Sequence, residues 1–154
     1  MSFLPDPLHP AVIHFPIALA LVALLVELLA RVPRWRALEP AAALLITLAA
    51  MGAIAAVVTG DMAHDEAVVP AAAHDLVEQH EELGETAMWS LVGLVAARLL
   101  LGWRRRSSGV LPWAYLVLAA AAAGLVAYNG HLGGRLVFDH GVGTAPMQRA
   151  ASPR

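Results

Sequence analysis

Four long apolar runs, separated by short stretches of charged residues, prolines and glycines, dominate the chain. They fall at about 11–30, 40–59, 83–103 and 110–129. A helix rises about 1.5 Å per residue, so about 20 apolar residues cross the hydrocarbon core of a bilayer. Each run has that length, and the second carries no charge. Pro33, Pro40, Gly109 and Pro112 mark the turns between them. The pattern predicts an all-α integral membrane protein, an antiparallel bundle of four transmembrane helices. Residues 1–144 form one domain, and 145–154 a flexible tail.

Composition supports this reading. Hydrophobic residues make up 59% of the chain and charged residues 14%, with a mean hydropathy of +0.66. Soluble domains carry about 45–50% apolar and about 25% charged residues. A net charge of −2 gives no footprint for nucleic acid. The absence of cysteine removes disulfides, thiolate metal sites and covalently attached c-type haem. All ten positive charges are arginine, which together with the abundant alanine fits a GC-rich bacterial genome.

The arginines orient the bundle. Arg31, Arg34 and Arg36 follow the first run, and Arg98, Arg104, Arg105 and Arg106 close the third. Only Arg135, Arg149 and Arg154 belong to the opposite side. The positive-inside rule therefore puts both termini and the 60–82 segment on the non-cytoplasmic side of a bacterial inner membrane. Trp35, Trp103 and Trp113 fall at the cytoplasmic ends, as an aromatic belt requires, and Tyr128 at the other interface. The opening MSFLPDPLHP has no positive n-region, so the first run reads as an uncleaved anchor. Glu27 and Arg31 stand four apart as an ordinary helical pair. Arg98 is expected to snorkel toward the cytoplasm.

All seven histidines, His9, His14, His64, His74, His80, His131 and His140, fall at the non-cytoplasmic end. Confinement of arginine to the other side explains the acidic residues that share this end, but not the histidines. His9 and His14 would be about 140° apart on a helix, and His74 and His80 about 120°. Neither pair shares a face, so a site must draw one histidine from each of several helices. His14 and His80 open the first and third runs at the same depth, on helices that are diagonal in an up-down bundle. Two imidazoles facing across a bundle suit the axial positions of haem b. Gly84, Ala87, Gly52, Ala53 and the Ala119–Ala123 tract offer narrow flanks, although such residues also serve ordinary helix packing. Capping or hydrogen bonding at the interface is the structural alternative for His14 and His80. Met62 and His64 form an M-x-H unit that suits copper.

Four segments carry a family resemblance: LHPAVIHFPIAL at 8–19, TGDMAHDE at 59–66, His80 with Gly84, and GHLGGRLVFDHGVG at 130–143. In this order between four apolar runs, they resemble the DUF2231 family of bacterial membrane proteins. The resemblance implies a four-helix membrane domain, sometimes joined to cytochrome-like or other redox domains. It implies that His9, His14, His80 and His140 fill the family's recurring histidine positions. His131 stands where relatives usually have tryptophan. In the last segment, Gly130, Gly133 and Gly134 are expected to break the fourth helix, and Leu136–Phe138 to dip back against the bundle. Gly141 and Gly143 would turn His140 over the His9/His14 side.

Three functions follow as expectations. The first is b-type haem binding for electron transfer, with His14 and His80 as ligands and His9 and His140 as a possible second pair. The second is a copper or zinc site combining His9, His14, His80 or His140 with Asp61 or Asp65. The third is a cofactor-free subunit of a membrane complex. Lipid is the expected surrounding, with a redox or membrane-complex protein as partner and a homo-oligomer possible. No nucleophile–base–acid set and no phosphate-binding loop point to a hydrolase.

Overall fold

Proline shapes the first helix. Pro16 has no N–H to give the Val12 carbonyl, and the helix is interrupted there at Ile13. A short α1 (His9–Val12) thus runs into α2 (His14–Leu29). The computed structural model describes residues 8–103 and 110–144. Arg104–Arg106, the side chain of Trp103 and the 145–154 tail lie outside what is described. After a 3₁₀ turn at Pro33–Leu38 come α3 (Glu39–Glu66), α4 (His74–Trp103) and α5 (Val110–Phe138). Among the described residues, four helical stretches are long and apolar enough to cross a membrane.

Three helices outrun their apolar segments. α3 continues seven residues past Thr59 and α4 begins nine residues before Leu83, because their polar turns contain no proline. The break comes at Pro70. α5 runs straight through Gly130, Gly133 and Gly134, contrary to the expected break. Each helical glycine costs about 1 kcal/mol. Leu132 and Leu136 offset this by burial, Leu136 within a small cluster with Ala73 and Val77 of the neighbouring helix start. Leu136–Phe138 is thus the last helical turn, not a returning strap. It ends in a glycine cap: Gly141 has φ 69°, its N–H bonds the Val137 carbonyl, and Val142 N–H bonds that of Leu136. Val142 packs back on the Leu136 cluster, as this cap requires.

The helices form a ring. α2 lies against α3 and α5, and α4 completes the circuit between α3 and α5, so α2 and α4 are diagonal. The core is built mostly of alanine, including Ala20, Ala23, Ala49, Ala53, Ala87, Ala119 and Ala122. Small side chains let helix backbones approach closely in lipid, where apolar burial gives no net drive. Large apolar residues face outward instead, among them Phe15, Leu44, Met51, Trp89 and Val117.

The core-facing positions recur every three and four residues. On the first span they are His9, Ile13, Pro16, Ala20, Ala23 and Glu27. From Ala73, in the turn before α4, and on along α4 they are Ala73, Val77, His80, Gly84, Ala87, Leu91, Leu94 and Arg98. This spacing is the seam along which packed helices meet.

Both seams end in charge. Glu27 is only 6% exposed, and its carboxylate accepts from Arg31 just past the end of its own helix and from Arg98 across the diagonal. Arg98 also donates to the Glu39 carbonyl (2.7 Å) and lies 5.8 Å from the centre of the Tyr115 ring. Arg98 therefore turns inward instead of snorkelling out. A buried carboxylate demands a partner, and Arg98 on the opposite seam is within reach.

Candidate functional site

The other ends of the same two seams meet at His9 and His80. Their ring centroids are 6.2 Å apart and the rings are nearly perpendicular, at 82°. Each ring is tied from behind. His9 Nδ1 donates to the Ala56 carbonyl (2.9 Å) and lies 3.3 Å from the Thr59 hydroxyl, both on α3. His80 Nδ1 donates to the Asn129 carbonyl on α5 (3.1 Å). A carbonyl only accepts, so Nδ1 carries the hydrogen in both rings. Each Nε2 then keeps a lone pair, and neither has a hydrogen-bond partner among the described residues. Metal-ligating histidines are oriented in this way, by an Nδ1–H bond to a carbonyl or carboxylate.

Two glycines seat the rings. A Cβ at Gly60 would stand 3.1 Å from His9 Cε1, and one at Gly133 would stand 3.1 Å from His80 Cε1. Gly133→Ala is therefore expected to displace the His80 ring while leaving the helix as stable or up to about 1 kcal/mol more stable. A thermal melt together with the His80 imidazole NMR signal checks this. Gly134→Ala, which meets nothing within 4 Å, is the control; equal effects from both would refute a specific seat.

The pair opens on a half-open cavity of about 90 Å³, lined mostly by small and apolar residues such as Ala53, Ala56, Gly84 and Val126, with Asp61 and Glu85 also on its wall. Asn129 lines it too, and its buried side-chain oxygen finds no donor among the described residues.

Of the residues singled out from the sequence, His9, His80 and Asp61 converge here. His14 is exposed and does not line the cavity, because it lies two residues before the core-facing Pro16 and so points away from the seam. The partner across from His80 is thus His9, not His14. His140 sits half-buried beyond the end of α5 and is not in the cavity wall. Nearer the surface, His64 pairs with Glu81, His74 bonds the Val69 carbonyl, and His131 stacks loosely on Tyr128 at 6.4 Å. Among the described residues, no three histidine, aspartate or glutamate side chains come together closely enough to hold a metal ion.

A family profile described as a predicted membrane protein (DUF2231) matches residues 5–146. The chain belongs to the DUF2231 family. Comparison with curated proteins found no match, and comparison with solved structures found none. In this DUF2231 protein the segments at 8–19, 59–66 and 130–143 each send a residue to the paired imidazoles: His9 itself, Gly60 under it and Gly133 under His80. In the sequence alone, Gly60 carries no marked role, Gly133 reads as a helix breaker and nothing singles out Asn129. The available signal was the spacing itself. Counting back by fours and threes from Glu27 through the alanines of the first span arrives at His9.

Proposed function

We propose that His9 and His80 would hold a haem b, and that the protein passes electrons at the non-cytoplasmic face of a bacterial inner membrane. The observation that carries this reading is the pair of free Nε2 atoms on rings fixed from behind. The 6.2 Å between the two ring centroids would leave room for a metal atom between the imidazoles. The donor count also favours a macrocycle. A structural zinc site takes four protein ligands, and even a catalytic one takes three. Haem brings its own four nitrogens and asks the protein for two. A macrocycle exceeds 90 Å³ several times over, so a bound haem would also occupy space outside this cavity.

Haem, when bound, supplies one-electron exchange. The chain's part is to hold the two rings through the Ala56 and Asn129 carbonyls, and to keep small residues along the cavity wall. The partner in electron exchange would be a redox protein on the same side of the membrane.

The test is the visible spectrum of the detergent-purified protein, expressed with ample haem, before and after dithionite. A Soret band with sharp reduced α and β bands is expected. A featureless spectrum with bound copper or zinc by elemental analysis would replace haem by a metal ion. A featureless spectrum without metal would leave the structural-subunit reading.

Orientation has its own test, which the absence of cysteine makes free of background. A cysteine placed at Ala72 is expected to react with an impermeant thiol reagent from outside the cytoplasm, and one at Ala37 only after lysis. The reverse pattern would move the histidine end to the cytoplasm.

A further inference from the structure

The arginine end has a groove of its own. Leu29, Arg34, Trp35, Ala37 and Leu38 line a depression of about 360 Å³ where α2 gives way to the 3₁₀ turn. The Arg34 guanidinium lies over the Trp35 ring, 4.6 Å from its centre. Stacking fixes the plane of a guanidinium and leaves its N–H edge free for a planar or tetrahedral anion. Among the described residues, neither Arg34 nor Arg36 has a carboxylate partner, and four arginines at this end face only Glu27 and Glu39. Arg31 adds a buried Nε without an acceptor. The groove also lies where one candidate span ends, at Leu29, and the next begins, at Pro33. Leu25 and Leu28, half exposed, lie on the same helix as Leu29.

We propose that this groove binds an anionic phospholipid. Its phosphate is held by Arg34, and the first methylenes of an acyl chain lie against Leu29 and Leu38. Positive charge unmatched by carboxylates, a stacked arginine and an apolar floor where a candidate span ends are together the features of a headgroup site. The inference is independent of the haem reading, which concerns the opposite end of the bundle.

Native mass spectrometry of the full chain, released from detergent and titrated separately with phosphatidylglycerol, phosphatidylcholine and inorganic phosphate, tests it. Phosphatidylglycerol is expected to remain bound where phosphatidylcholine is lost. Arg34→Gln should weaken that binding about tenfold, the loss of one charge-assisted contact. Arg36→Gln removes the same charge outside the groove and should leave binding within about twofold. Ala37→Phe, which fills the groove without touching charge, should weaken it as well. Equal retention of both lipids, equal losses from Arg34→Gln and Arg36→Gln, no loss from Ala37→Phe, or displacement of the lipid by inorganic phosphate would each overturn the proposal.

Discussion

His80→Ala and His9→Ala are each expected to abolish the low-spin haem spectrum, whereas His14→Ala leaves it intact. The contrast follows from the seam. His9 and His80 face each other across the diagonal, and His14 faces outward. A missing imidazole cannot be replaced from nearby, because among the described residues no third histidine lines the cavity. Asn129→Ala sharpens the test. The acceptor for His80 is the main-chain carbonyl of Asn129, which survives truncation of the side chain. Its spectrum should therefore keep the low-spin form, although the orphaned side-chain oxygen is gone. Circular dichroism on each variant separates loss of ligand from loss of helix. A spectrum unchanged in both His9→Ala and His80→Ala would refute the axial assignment, and loss in His14→Ala alone would return the ligand role to the residue that its depth in the sequence suggests.

The largest expected effect on stability is that of Glu27→Ala. It leaves Arg31 and Arg98 converging on an empty position with no counter-charge. Removing one partner of a buried ion pair costs about 3–5 kcal/mol. Arg31 is a quarter exposed and can swing outward, so the larger share falls on Arg98, which is more enclosed and held by the Glu39 carbonyl. Replacing the cross-bundle pair with apolar residues, Glu27→Leu with Arg98→Met, should recover most of the loss, since well-packed substitutes for buried pairs are often neutral. Thermal unfolding in detergent reads both variants. A Glu27→Ala protein that melts with the parent would show that the carboxylate carries little of the bundle's stability.

The number and order of the helices were legible in the sequence because lipid outside and alanine inside leave the spans apolar all round. The same uniformity hid which face of each span points inward. His9 and His14 are both near the start of the first span, and depth alone does not separate them. Only the register of Pro16, Ala20, Ala23 and Glu27 does, and it is visible in the sequence once Glu27 is taken as an inward-facing starting point. Arg98 was misread for the same reason: its partner is 71 residues away, so no local spacing marks it. The helix extensions are not marked in the sequence because the apolar signal stops at the membrane surface while backbone hydrogen bonding continues to the next helix breaker, Pro70 between α3 and α4 and the Gly141 cap after α5. The three glycines of α5 read as breakers because their cost is local and their compensation, burial of Leu132 and Leu136, is tertiary.

The carboxylate shared by two arginines has a consequence for how the chain is made. Glu27 enters the membrane on the first span, and Arg98 follows 71 residues later. At about 5–20 residues per second, the ribosome takes roughly 4–14 s to deliver it. During that interval the charge of Glu27 would stand alone in the bilayer but for Arg31, one helical turn further on and synthesised almost at once. Arg31 is thus the counter-ion of the nascent chain, and Arg98 that of the finished bundle.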